Sequence, residues 1–307
     1  MFYSEAMNAI RPVIFGCLGT ELTQDEFSFF KECNPFGFIL FKRNCEDPLQ
    51  LACLIEHLKE TVLRDDVPIL IDQEGGRVAR LKGAEWPDFP PQYQFGQKWA
   101  ESPIIAYEQA FENAYKIGIM LKELGINVNC SPLLDVLTEY THKAIGDRAF
   151  STDPEIVFEL GKAYIEGYLK AGIKPVIKHL PGHGRATFDS HEDLPVVSAS
   201  LNDLRATDLL SFQKISKLYP DIWGMSAHIV YEAIDAHNPA TQSIDVIQKI
   251  IREEIGFKGL LLTDDLSMKA LKGDFKTRTQ KALEAGCDVV LHCNGDMNEM
   301  KEIESFF

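Results

Sequence analysis

The sequence has no window of 18 apolar residues, so no segment reads as a membrane span. The opening residues, MFYSEAMNAIRPVIFGCLG, lack the basic stretch and apolar core of a secretory leader. CxxC pairs are also absent. The seven cysteines (Cys17, Cys33, Cys45, Cys53, Cys130, Cys287 and Cys293) are scattered and odd in number, as expected of reduced thiols in a reducing compartment. Basic charge is in short supply: 31 Lys and Arg stand against 46 Asp and Glu, a formal charge of −15. A polyanion would meet net repulsion, which argues against nucleic acid as a partner and against electrostatic membrane anchoring. There is no Pro/Gly/Ser-rich linker, internal repeat or low-complexity tract. A soluble cytoplasmic protein with a small-molecule partner is the expectation.

What is present is a globular composition, with 45% hydrophobic and 25% charged residues over 307 positions. That length fits one large barrel-type domain or two small ones. Short, near-continuous apolar runs occur at Val13–Leu18, Gly37–Phe41, Pro68–Asp72, Val128–Ser131, Pro175–His179, Gly224–His228, Gly259–Thr263 and Asp288–His292. Runs of this kind are the mark of parallel strands buried on both faces. Helical spacing falls between them, as in Leu51, Ile55, Leu58 and Val62, and in Ile247, Ile251 and Ile255. Asp153-Pro154 starts a helix that Gly172 should stop, and Ser243 and Gly256 bracket another. The alternation predicts an α/β fold with a single (β/α)8 TIM barrel over residues 1–307, closed by a short final helix. An open doubly wound sheet is the structural alternative. Its GxGxxG signature is missing, because the first strand ends Gly16-Cys17-Leu18-Gly19.

A barrel places its chemistry at the C-terminal ends of the strands. Polar residues gather there. Asp72-Gln73-Glu74-Gly75-Gly76-Arg77 closes the third run, Lys178-His179-Leu180-Pro181-Gly182-His183-Gly184 the fifth, and Thr263-Asp264-Asp265 the seventh. Strand alternation lets only one of Asp264 and Asp265 point into the mouth. Taken alone, that pair reads slightly better as a helix N-cap than as a nucleophile with a structural neighbour. Lys178, His179, His183, Asp189 and His191 crowd a Gly-rich stretch, and Asp189-Ser190-His191 can set a carboxylate beside an imidazole. Single histidines and lysines are usually satisfied structural groups, but their density here favours function. Asp72 and Arg80 flank the double glycine of DQEGGRVAR, and Arg148 lies in Gly146-Asp147-Arg148. Carboxylates and guanidinium groups of this kind bind sugar hydroxyls, although for any one Arg a rim salt bridge is the commoner role. His228 is expected to reach the mouth, and Trp86 and Trp99 to pack in the core. No metal is expected: His191-Glu192 opens like HExxH, but Pro195 stands where the second His belongs. The run Gly224-Met225-Ser226-Ala227-His228 lacks the closing Gly of a nucleophile elbow.

Ile71-Asp72-Gln73-Glu74-Gly75-Gly76-Arg77-Val78, Gly146-Asp147-Arg148, the Lys178–Gly184 run with Asp189-Ser190-His191, and Thr263-Asp264-Asp265-Leu266-Ser267-Met268 together resemble family 3 glycoside hydrolases. Within that family they are most similar to the single-domain β-N-acetylglucosaminidases of bacterial peptidoglycan recycling. The resemblance runs from about residue 13 to 294. It implies a TIM barrel acting by a retaining mechanism on terminal β-linked N-acetylglucosamine of peptidoglycan fragments such as GlcNAc-1,6-anhydro-MurNAc; a monomer without a cofactor is the default expectation. It implies Asp264 as the nucleophile, His191 as the acid/base partnered by Asp189, and Asp72, Arg80, Arg148, Lys178 and His179 as sugar-binding residues. Leu180 stands where Phe is common, and Glu192-Asp193 where neutral or His residues are frequent. Gly182 and Gly184 predict a mobile loop that brings His191 to bound substrate. Three alternatives remain at this point: a phosphorylase on the same fold, a Schiff-base lyase using Lys178, and a non-catalytic sugar-binding barrel.

Overall fold

A computed structural model describes residues 9–188 and 193–307. Eight parallel strands close into a barrel: β1 (Arg11–Gly16), β2 (Pro35–Leu40), β3 (Ile69–Ile71), β4 (Val128–Asn129), β5 (Lys174–Leu180), β6 (Trp223–Ser226), β7 (Leu261–Asp265) and β8 (Val289–His292). Each strand pairs with its neighbours in sequence, and β1 also pairs with β8, which closes the ring. All eight expected strands are present. β4 is shorter than its apolar run, although the Cys130 N–H still donates to the Ile71 carbonyl beyond its end.

Alternation along the strands explains the continuous hydrophobic runs. Ile14, Ile39, Leu70, Val128, Val176, Leu262, Val289 and Leu291 fill the barrel interior. Their neighbours Val13, Phe15, Phe38, Leu40, Ile69, Ile71, Ile177 and Leu261 face outward and join the core beneath the helices. Both faces of each strand are therefore buried, so both are mostly apolar.

The helices follow their sequence signals. Asp47 caps α1 (Pro48–Val62), which runs between β2 and β3 in the chain, by accepting from the amides of Leu49 and Gln50. The carboxylate of Asp153 caps α2 (Pro154–Ala171), and Gly172 ends it at φ +85°. Ser243 accepts from Val246 N–H at the start of α3, a π-helical element (Asp245–Glu254) in which Ile247 and Ile251 are fully buried. α4 (Met297–Glu304) follows β8. All seven cysteines are free thiols, Trp86 is buried in the core and Trp99 packs against it. Among the described residues no helix is long and apolar enough to cross a membrane.

Candidate active site

A cavity of about 240 Å³ opens at the C-terminal end of the barrel. Its floor continues the inward-facing rows of the strands by one position. Phe41 follows Ile39, Asp72 follows Leu70, Lys178 follows Val176, Asp264 follows Leu262 and Cys293 follows Leu291, and each of these five lines the cavity. The parity that fills the barrel with apolar side chains thus delivers charged ones at its rim. A register shift in the pairing of β5 with β6 lies between Lys178 and Leu180. It breaks the alternation, and His179 lines the cavity together with Lys178.

The short hairpin Gln73–Gly75/Val78–Ala79 follows β3. Gln73 accepts from the amides of Arg80 and Leu81, and Asn129 clamps the main chain of Gln73 from the other side. Gly75 and Gly76 turn the hairpin with φ of +100° and +58°. A β-carbon at Gly75 would lie 2.3 Å from the Pro90 carbonyl oxygen, so both backbone angle and space require glycine there.

Five charges interlock on this platform. Lys178 Nζ donates to Asp72 Oδ1 at 2.8 Å and lies 2.6 Å from Glu74 Oε1. Arg80 donates to the other oxygen of Asp72 at 2.9 Å, with its guanidinium 4.8 Å over the Phe41 ring. Arg148 grips Glu74 with two bonds, of 2.9 and 2.8 Å. Burial opposes ionisation of Asp72 and Glu74, but the adjacent cations outweigh it and hold both carboxyls below the usual carboxylate range. Burial likewise opposes the charge on Lys178, and its two carboxylates outweigh it and raise its pKa. Lys178 is therefore held as an ammonium ion. Its two ion pairs speak against the lyase alternative, since a Schiff-base lysine must reach its neutral form to attack a carbonyl. Three cations against two carboxylates leave a surplus positive charge in the cavity that Asp264 lines.

Asp135 is fully buried in the loop after β4. One oxygen accepts from the amides of His179 and His183 at 3.2 and 2.6 Å; the other lies 2.8 Å from His179 Nδ1. Burial acts to raise its pKa, but His179 and the N–H bonds bring it down to about 2. Burial and the adjacent His179 push the pKa of His183, which also lines the cavity, down to about 4.

At the end of β7 the two aspartates divide their tasks. Asp265 is tied by Ser267 N–H at 3.0 Å, Ser267 Oγ at 2.5 Å and Cys293 N–H at 3.1 Å. Both line the cavity, contrary to the expectation that only one would, beside a register shift between Leu262 and Asp265; Asp264 continues the inward row from Leu262, and one of its oxygens accepts from Asp265 N–H at 2.8 Å. No helix starts directly after the pair, so the N-cap reading does not hold. His228 corrects another expectation. It is fully buried behind the cavity, bonded to Thr241 Oγ1 at 2.8 Å and donating from Nε2 to the Asp265 carbonyl at 3.0 Å. Gly182 and Gly184 sit in close quarters, while the part of their loop that carries His191 lies outside the described residues. The carbonyl of Gly182 accepts from Tyr231, that of Gly184 from Thr141, and a β-carbon on Gly184 would lie 1.8 Å from the Val136 oxygen. These glycines answer a lack of room.

The structure thus brings together Asp72, Arg80, Arg148, Lys178, His179 and Asp264. Asp189 and His191 lie outside the described residues. Glu74 and Asp135 were not singled out from the sequence, although each left a signal there. Glu74 has the same strand parity as Asp72, and Asp135 is a lone charge in the apolar run Leu133-Leu134-Asp135-Val136. Among the described residues, no group of three or more His, Cys, Asp or Glu side chains is placed to hold a metal ion.

Residues 17–307 match the glycosyl hydrolase family 3 N-terminal domain. A β-hexosaminidase of Thiobacillus denitrificans is 39% identical, over 92% of this chain and 78% of its own length. The crystal structure of NagZ from Neisseria gonorrhoeae in complex with N-trifluoroacetyl-D-glucosamine superimposes with a TM-score of 0.89 at 33% identity, covering 97% of this chain and 85% of that one. A family 3 β-N-acetylglucosaminidase from Paenibacillus gives a TM-score of 0.88 at 32% identity, covering 98% of this chain and 56% of that one.

Proposed function

The chain belongs to glycosyl hydrolase family 3 and is a glycoside hydrolase of the β-hexosaminidase type; from that premise we propose that it is a retaining exo-β-N-acetylglucosaminidase. Its substrate is terminal β-linked GlcNAc on peptidoglycan fragments, GlcNAc-1,6-anhydro-MurNAc with or without peptide, handled by a cytoplasmic monomer. The observation that carries this reading is the position of Asp264, inward-facing at the end of β7, in a cavity whose other wall is the buried Asp72–Lys178–Glu74–Arg148 network.

In this mechanism Asp264 attacks the anomeric carbon as the glycosidic bond breaks, forming a glycosyl-enzyme through an oxocarbenium-like transition state. His191, held by Asp189, gives its proton to the departing sugar oxygen. The same imidazole, now neutral, takes a proton from water, which displaces Asp264 and restores the enzyme. Retaining schemes usually use two carboxylates; a His with an unperturbed pKa of about 6.5 does the same work near neutral pH. Asp72, Arg80, Arg148, Lys178 and His179 hold the hydroxyls and the acetamido group. Their fixed ion pairs orient the ligand without reorganising during the reaction.

The test is product analysis by NMR after mixing the enzyme with GlcNAc-1,6-anhydro-MurNAc, with and without phosphate. Free GlcNAc appearing first as the β-anomer under both conditions is the expected result. GlcNAc-1-phosphate would instead make the chain a phosphorylase, first release of the α-anomer would overturn the retaining mechanism, and an untouched disaccharide would overturn the substrate assignment.

A further inference from the structure

Asp135 touches no part of the cavity directly, yet three bonds from it shape the wall that does. Its oxygens accept from the main chain of His179 and His183 and meet the His179 ring at Nδ1. An ionised carboxylate can only accept hydrogen bonds, so the proton between Asp135 and His179 belongs to Nδ1. Nε2 is then the ring nitrogen left to face a ligand from this cavity-lining residue. Three lining groups, Lys178, Arg80 and Arg148, can only donate, and the oxygens of Asp72 already accept from Lys178 and Arg80. A sugar hydroxyl that accepts from one of these cations still has its own proton to place.

We propose that Asp135 is a positioning residue that locks His179 in the Nδ1–H tautomer and so makes Nε2 a neutral acceptor for a hydroxyl of the bound sugar. The atom that hydrogen-bonds one ring nitrogen decides what the other presents. The inference rests on the glycosidase reading for the identity of the ligand, but not for the tautomer.

Asp135→Asn separates this role from a structural one. The amide oxygen keeps both main-chain bonds, while the amide nitrogen donates to Nδ1 and forces the proton to Nε2. Protein labelled with 15N-histidine is examined at pH 8, the His179 signals being assigned by their loss in His179→Gln. In the wild type we expect a protonated Nδ1 and an unprotonated Nε2, and in Asp135→Asn the reverse. On 4-nitrophenyl β-N-acetylglucosaminide, Asp135→Asn is expected to lower kcat/KM by about 10–100-fold. The same substitution added to His179→Ala should have a much smaller effect, because the route through the His179 ring has been removed and only the main-chain bonds, which the amide oxygen keeps, are left. A proton on Nε2 of the wild type at pH 8 overturns the proposal, as does an Asp135→Asn loss that persists undiminished in the His179→Ala background. The wild-type spectrum decides the tautomer even if the variant does not fold or the chain turns over no glycoside.

Discussion

Glu74→Gln gives a direct measure of how the buried charge network is held. Glu74 is 1% exposed and accepts two bonds from Arg148 while lying 2.6 Å from Lys178. The substitution keeps shape and volume but removes the charge. Three cations then face the single carboxylate of Asp72, Arg148 loses the carboxylate it grips, and one arm of the amide presents N–H to a donor. Removing one partner of a buried ion pair costs about 3–5 kcal/mol, mostly from the charge left uncompensated. For a chain of this size that corresponds to a fall in Tm of about 6–10 °C, taking roughly 2 °C per kcal/mol. The exposed Arg77–Asp147 pair has its closest contact at 2.8 Å, similar to the bonds of Glu74. Asp147→Asn should shift stability by only about 0–1 kcal/mol, because water and salt screen that pair. Differential scanning calorimetry of the three proteins, with KM measured on a chromogenic glycoside, forms the assay. KM is expected to rise for Glu74→Gln as Lys178 and Arg148 lose their orientation. Equal Tm values for Glu74→Gln and wild type, with unchanged KM, would refute the claim that this network is built from mutually dependent charges.

His183 makes stability depend on pH. Its folded pKa of about 4 lies below the ordinary 6.5, so between these values the unfolded chain binds more protons and stability falls as pH drops from 6.5 towards 4. The full effect is about 3 kcal/mol, and His183→Gln should flatten that part of a Tm-against-pH curve; an unchanged slope would exclude His183 as its source. Gly184→Ala should destabilise by about 1–3 kcal/mol or more, because the new methyl group meets the Val136 carbonyl, and a urea midpoint equal to wild type would contradict the packing described. His191→Ala should lose about 10²–10⁴-fold in kcat/KM on aglycones that need protonation and much less on very good leaving groups; equal losses on both would remove His191 from the acid role.

The barrel was legible because strand burial on both faces leaves a chemical trace: eight apolar runs, each at its own position along the chain. Their ends were less legible. Helical caps at Asp153 and Gly172 are local chemistry and could be read directly. The roles of Gly182 and Gly184 could not, because the close approach of Val136 and Asp208 depends on residues distant in sequence. His228 misled for a similar reason. An imidazole at a strand end looks the same in sequence whether it faces the mouth or bonds to Thr241 and the Asp265 carbonyl behind it. Arg80, Arg148, Lys178 and Asp72 were recognised as separate sugar-binding groups, whereas Glu74, which ties Arg148 to Lys178, needed three-dimensional contacts to be seen.

The central claim is that Asp264 is the nucleophile of a β-N-acetylglucosaminidase. It is tested most directly by release of 4-nitrophenol from its β-N-acetylglucosaminide by wild type and by Asp264→Asn, with folding of both confirmed by calorimetry. The account expects turnover by the wild type and a loss on the order of 10⁴-fold or more in the variant. A folded Asp264→Asn protein that hydrolyses the glycoside at a rate near wild type would contradict it.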